Sequence, residues 1–325
     1  MPVRRRSMLA VAAAVPVLAS RAARAQPGAQ QAQAPGQAPG FYRFRVGRFL
    51  VTTITDGQAF RTNPTRGMAV NAEPAAVEQA LKEALIPVAG FNNPYVVTVV
   101  ETGRETVLFD TGTGGQLNDT AGLLGQNMRA AGLDPERIDR IAITHFHADH
   151  ITGLTTREDQ PVFGRAEVLV PEAEWAWWTD EGNAARTPEM QRGTFAVVRR
   201  RFAPYQPRLR RIADGAEVAP GIRAVAAFGH TPGHTAYHVS DGDQQLFIMG
   251  DCANRPEVFL RHPDRHFAFD VDGPVASATR KRLFGRAADE RARVVGYHFP
   301  FPANGYVARE GEGFRFVPAD WSSVL

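Results

Sequence analysis

A single cysteine, two lysines and the want of any long apolar run limit what this 325-residue chain can be. Cys252 has no partner for an internal disulfide, so an oxidising compartment neither helps nor harms the fold. Lys82 and Lys281 are the only lysines, and no Gly-rich phosphate cradle occurs, which argues against a site built for charged phosphates. The longest apolar stretch, residues 8–19, is too short to span a bilayer, and no other segment is a membrane-span candidate. The formal charge of +3 belongs to the first 25 residues. Taking away Arg4, Arg5, Arg6, Arg21 and Arg24, in a segment without acids, leaves −2. No nucleic acid or anionic membrane is expected as partner from so balanced a chain.

What is present begins with a leader. Arg4–Arg6, the apolar run and Ala23-Arg24-Ala25 form the three parts of a secretory signal peptide, with cleavage after Ala25. Arg5-Arg6 before Ser7-Met8-Leu9 resembles the twin-arginine signal, which exports folded proteins, so a periplasmic or secreted location is expected. Residues 26–40 are Gln, Ala, Pro and Gly with nothing to bury and read as a disordered tether. From Phe41 to Leu325 the pattern suits one domain. Strands are expected at 49–57, 94–101, 105–112, 137–145, 166–171, 222–229, 235–241, 245–251 and 292–298, with helices over 73–85 and roughly 118–131. Such strands covered by helices suggest a layered α/β fold.

The chemistry concentrates in "ITHFHADH", residues 143–150. His145, His147, Asp149 and His150 stand close enough for one tight loop to turn all four inward, and such a group without a counter-ion is costly to bury. Imidazole and carboxylate at this density suit zinc or a similar divalent ion. His234 follows a Thr-Pro-Gly turn, and Asp251 and His298 each end an apolar strand. The seven divide into three histidines for one ion, Asp149 with two histidines for a second, and Asp251 between. His230 and His238 read as helpers or packing residues, His262 and His266 as loop residues, and Cys252 as a small buried filler.

H-x-H-x-D-H, then T-P-G-H, G-D and a late strand-terminal histidine, in that order over about residues 45–320, resembles the metallo-β-lactamase fold superfamily. The resemblance implies an αββα sandwich, two mixed sheets flanked by helices. It implies His145, His147 and His234 on a first metal, Asp149, His150 and His298 on a second, and Asp251 bridging. Asp110 in "LFDTG" matches the family's buried aspartate, and with Thr144 it would orient the imidazoles. The 234-to-251 spacing and the segments 296–307 and 314–321 are similar to methyl parathion hydrolase and its exported esterase, lactonase and organophosphate hydrolase relatives. The related N-acyl homoserine lactonases carry a tyrosine three residues after the bridging aspartate, where this chain has Asn254.

Two divalent ions, zinc first and Mn, Co or Fe as alternatives, imply a bridging hydroxide that attacks a carbonyl carbon or a phosphorus. Asp251 would hold the pair together and Asp149 take up the proton. The expected substrate is a small, neutral, apolar or aromatic ester, lactone or phosphotriester. Trp175, Trp177, Trp178 and Phe195, in an insertion between metal motifs, and Phe299 beside His298 are candidate pocket walls. The competing reading of these rings is helix packing or a homodimer contact. Other reactions on the same fold are an iron-dependent oxidation of persulfide dioxygenase type and a glyoxalase II-like thioester hydrolysis, and a non-catalytic zinc protein is a third alternative.

Overall fold

Alternating apolar runs build two sheets in the computed structural model, which describes Ala38 and residues 40–325. The expected leader, residues 1–25, and nearly all of the tether lie outside the described residues. Gly40, counted with the tether, is tied to the fold. Its amide donates to Asn127 Oδ1 at 3.1 Å and its carbonyl accepts from Thr55 N at 2.8 Å. No helix among the described residues is long and apolar enough to cross a membrane.

The first sheet holds β1 (Phe41–Val46), β2 (Phe49–Thr62), β3 (Gly90–Glu101), β4 (Thr106–Phe109), β5 (Arg140–Ala142), β6 (Glu167–Pro171) and β7 (Leu209–Ile212), in chain order across the sheet. It is antiparallel up to β4 and parallel from there on. The second holds β8 (Glu217–Ala219), β9 (Ile222–Ala226), β10 (Thr235–Asp241), β11 (Gln244–Ile248), β12 (Arg293–Val295), β13 (Asn304–Glu310) and β14 (Gly313–Pro318), again in chain order. There only β11 and β12 run parallel. The helices are α1 (Pro74–Glu83), α2 (Leu124–Ala130), α3 (Ala148–Ile151), α4 (Glu172–Thr179), α5 (Thr194–Phe202) and α6 (Gly273–Asp289).

Period-two patterning decides which face of each strand is covered. Val107 and Phe109 of β4 enter a core shared with Tyr237, Val239 and Leu246 of the second sheet; the Phe109 and Tyr237 rings lie 5.0 Å apart. Leu108, between them, turns outward to a second core with Met128 of α2, Trp178 of α4 and Phe195, Val198 and Phe202 of α5. On the far side, Phe247 alternates outward from Leu246 and Ile248, and Arg286 of α6 lies over its ring. Two mixed sheets thus stand back to back with helices outside, the sandwich expected from the motif blocks.

Several expected strands are shorter at their ends, and two elements differ in a way that shapes the site. The helix expected over 118–131 starts at Leu124, because Gly122 has φ +100° and the Asp56 carboxylate accepts from Leu124 N at 2.9 Å. The strand expected to stop at Gly57 continues to Thr62 past a bulge between Thr55 and Gly57.

The sandwich opens one edge to chemistry. Asp110 follows β4, Thr144 and His145 follow β5, Asp251 follows β11, His298 follows β12, and the loop 230–234 leads into β10. Backbone bonds between the sheets lock this edge: Thr235 N donates to Thr144 O at 2.9 Å and Val96 N to Tyr297 O at 2.9 Å.

Candidate metal centre

The outer contacts of each imidazole set which nitrogen faces inward. Asp110 is buried and accepts from Thr144 N, from Thr144 Oγ1 and from His150 Nδ1, each at 2.8 Å. Having given its proton to Asp110, the Thr144 hydroxyl accepts from His145 Nδ1 at 3.0 Å. His230 Nδ1 stands 2.9 Å from Asp270 Oδ1, His147 Nε2 3.3 Å from Gln191 Oε1, and His298 Nδ1 2.8 Å from the Pro94 carbonyl. In the neutral ring each of these five contacts uses the ring's proton and leaves a lone pair on its other nitrogen.

Those lone pairs converge. His145 Nε2 and His230 Nε2 each lie 3.0 Å from His147 Nδ1. Three acceptors facing one another at that distance are a cation site, not a hydrogen-bond network. Beside them, His298 Nε2 is 3.0 Å from Asp251 Oδ2 and 3.5 Å from Asp149 Oδ2, and His150 Nε2 is 3.3 Å from Asp251 Oδ1 and 3.7 Å from Asp149 Oδ2. Asp251 Oδ2 also comes within 3.5 Å of His230 Nε2, so this carboxylate touches both groups. His150 Nε2 and Asp251 Oδ1 are buried without a hydrogen-bond partner, as unfilled metal ligands would be. The donor set fits two divalent ions.

Electrostatics divides the two groups. Burial, then the neighbouring His150, His147 and His230, holds His145 well below the usual imidazole range. Burial and His230 bring His147 down to about 3. Burial works against protonation of His150 and His298 too, but the carboxylates around them win and raise both: Asp149, Asp251 and Asp110 for His150, chiefly Asp251 for His298. Asp251 is buried, which favours its acid form, yet His298 and His150 pull it well below the carboxylate range. The Asp149 side is therefore expected to expel protons when a metal binds, more than the His147 side. Metal affinity is expected to rise with pH through neutrality, with proton release on loading. Calorimetry of the metal-free protein in buffers of different ionisation enthalpy measures both, and loading without proton release would contradict this arrangement.

Of the seven expected ligands, His145, His147, Asp149, His150, Asp251 and His298 come together and His234 does not. Its Nε2 accepts from the Asp251 amide at 3.0 Å, so that lone pair is spent on the backbone, and its Nδ1 is buried without a partner. His230, read from sequence as a helper, takes that place. The cause is distant in the chain. The first turn of α4 packs on the 230–234 loop so closely that a Cβ on Gly233 would sit 1.9 Å from Glu174 N, and Asp270 holds His230 from outside. Asp110 and Thr144 lie where they were expected, orienting His150 and His145.

The expected pocket walls lie elsewhere. Trp178 and Phe195 are buried against each other with ring centroids 5.0 Å apart, Trp175 packs on Phe146 and Phe202, and Trp177 is half-buried under Arg186. Phe299 is buried between Phe284 and Phe316. None of the five lines the cavity of about 480 Å³ that opens over the centre. Its wall is made by Phe60, Arg61, Tyr95, Met190, Phe267 and Phe269, around Asp149, His147, His230, Asp251 and His298. Phe60 and Arg61 are there because β2 runs past its bulge. Cys252 is the buried filler expected, its thiol pushed up to about 12 by burial.

The sequence model of the metallo-beta-lactamase superfamily matches residues 90–298, from the start of β3 to the last of these histidines. The chain belongs to the metallo-beta-lactamase superfamily. A stretch of 55 residues, 17% of the chain, is 47% identical to ribonuclease Z of Pyrococcus furiosus and spans 15% of that protein. Among solved structures, AidC, a dizinc quorum-quenching lactonase in complex with the product N-hexanoyl-L-homoserine, superposes with a TM-score of 0.83 at 24% identity, over 87% of this chain and 99% of that one. The hydrolase AbOPH of the beta-lactamase superfamily gives 0.83 at 25% identity, over 89% and 100%. A probable metal-dependent hydrolase from Staphylococcus aureus gives 0.72 at 19%, over 86% and 100%. This metallo-beta-lactamase superfamily member therefore shares its architecture with proteins that cover nearly its whole described length.

Proposed function

We propose that this protein is a binuclear metal-dependent hydrolase of esters, lactones or phosphotriesters with apolar or aromatic substituents. One observation carries the reading: two groups of inward-facing ligands joined by Asp251 at the floor of an open, aromatic-walled cavity. Two divalent ions held there, zinc first for these N and O donors, supply Lewis acidity and lower the pKa of a bound water to about 7.

The chain's own groups do the rest. Asp251 spans both ligand groups and fixes their separation. Asp149 is the carboxylate of the pair that keeps solvent contact, its side chain 21% exposed against 4% for Asp251, so it is placed to take up and release a proton. Tyr297 donates to the Asp149 carbonyl at 2.6 Å and holds that residue in place. Tyr95 lines the cavity with its ring 5.7 Å from that of His298. Burial, reinforced by Asp149, raises its phenol above the usual range, so it meets a substrate as a neutral donor.

The 296–307 and 314–321 segments support the exported esterase, lactonase and organophosphate hydrolase branch, and the arginine-pair leader supports export as a folded protein. Lactones belong in the test because AidC, of the same fold, is a lactonase. The test is elemental mass spectrometry of the purified protein beside turnover of an aryl ester, an aromatic lactone, a homoserine lactone, a phosphotriester and a cephalosporin. The expected result is about two divalent ions per chain and chelator-sensitive hydrolysis of the neutral substrates, both lost in Asp251→Asn. A single iron with a silent panel would overturn the reading.

A further inference from the structure

Arg280 and Arg201, both buried, have acceptors for two or more of their guanidinium nitrogens. Arg280, 1% exposed, donates to the carbonyls of Cys252, Pro263 and Arg265 at 2.7 to 2.8 Å, and Arg201 donates to Thr155 Oγ1 at 2.6 Å and Gln116 Oε1 at 2.8 Å. Arg61, inside the cavity, differs from both. Its Nε is buried without a partner, and it forms no ion pair or hydrogen bond among the described residues. Two rings hold it instead: its guanidinium carbon lies 5.5 Å from the centroid of Phe267 and 5.7 Å from that of Phe269.

Those rings tie Arg61 to the centre. Phe267 stacks on His230 at 6.1 Å and 15°, and Phe269 meets His147 edge-on at 6.2 Å. The charge of Asp149 also acts on Arg61. The side chain sits on the part of β2 beyond the bulge, opposite Phe91 of β3, so two strands fix its base. Its Nε is out of water without an acceptor, which is costly, and a ligand oxygen would offset that cost. Burial lowers its pKa, yet an arginine stays charged at any ordinary pH.

We infer that Arg61 is the specificity-determining residue of this cavity: it takes a carbonyl or carboxylate oxygen of the substrate placed beyond the bond that is cut. Phe60, Phe267 and Phe269 pack the apolar part between. The inference rests on the hydrolase reading above and narrows it: the preferred substrate is not apolar throughout but carries a remote oxygen acceptor.

The test compares three γ-lactones of equal chain length that end in a methyl ketone, a carboxylate or a methyl group. Wild type is expected to favour one of the first two, and which one tells the neutral acceptor from the anionic one. In Arg61→Met the ratio of kcat/KM between that lactone and the methyl-ended one should fall about 10- to 100-fold, carried by KM, the range for a lost hydrogen bond to a charged group. An unchanged ratio, or a loss in kcat shared by all three, would overturn the proposal. The corresponding lactams, which do not hydrolyse, give a second readout by calorimetry on the metal-loaded protein. If wild type cleaves none of the lactones, the hydrolase reading fails for this class, and lactam binding still decides Arg61: weaker binding of the acceptor-bearing lactam by the variant supports it and equal binding refutes it. Arg61→Lys, which keeps the charge without the planar fork, replaces Arg61→Met if the latter does not fold.

Discussion

On the proposed binuclear reading, His230→Ala is expected to lose one of the two ions and to lower hydrolysis on the order of 10³-fold, while His234→Ala keeps both and loses stability instead. His230 Nε2 is one of three nitrogens that converge on one point, and alanine leaves that point with two. His234 is fully buried and its Nε2 accepts the Asp251 amide, so alanine there leaves a void and an unpaired backbone donor beneath the centre. A loss of about 2 to 4 kcal/mol is the scale for such a change. Elemental analysis of both variants, with a denaturant titration of each, separates the two outcomes. The reverse pattern, an ion lost with His234 and none with His230, would reinstate the assignment drawn from the motif.

That pair also shows where sequence reasoning stops. His145, His147, Asp149 and His150 are legible because they crowd into six positions at the end of a buried strand, and local spacing suffices to turn them inward. Asp251 and His298 are legible because each ends an apolar run. His230 and His234 flank one Thr-Pro-Gly turn, and either could face the metal on spacing alone. What chooses is Asp270, forty residues on, and the packing of α4, neither of which leaves a local trace. The cavity wall was hidden for a related reason. "EWAWWTD" shows that aromatic rings are present but not which side of α4 is covered, and Trp178 goes into the core with Phe195. Asp56-Gly57 looks like the end of a strand but is a bulge, with Gly57 at φ +116°, so a strand expected to stop there does not reach Phe60 and Arg61. The two sheets themselves were easier, because in-out alternation along strands such as β4 is written in the residues.

Glu174→Gln is expected to destabilise the protein by about 2 to 4 kcal/mol and to weaken metal binding about 10- to 100-fold, although Glu174 touches no metal ligand side chain. Its carboxylate is fully buried in the first turn of α4 and takes four donors. Phe146 N at 3.0 Å and Trp178 Nε1 at 2.7 Å reach Oε1, and Thr231 Oγ1 and Gly233 N, both at 2.8 Å, reach Oε2. Phe146 lies between His145 and His147, and Thr231 follows His230, so this one group ties together the two loops whose nitrogens must meet. Burial drives its pKa up while the four donors pull it down, the mark of a charge kept inside by hydrogen bonds alone. Glutamine offers one oxygen in place of two. The Oε1 side faces two N–H groups, so the amide oxygen goes there and the NH₂ group confronts Gly233 N–H, while the Thr231 hydroxyl can turn to accept. One buried donor is left facing another, at the hinge of the 230–234 loop. A denaturant titration and a competition against a metal-binding dye measure the two effects. Loss of stability with unchanged metal affinity would mean that α4 only covers the sheet; loss of both means that the His230 loop is held in register with His145 and His147 through this carboxylate.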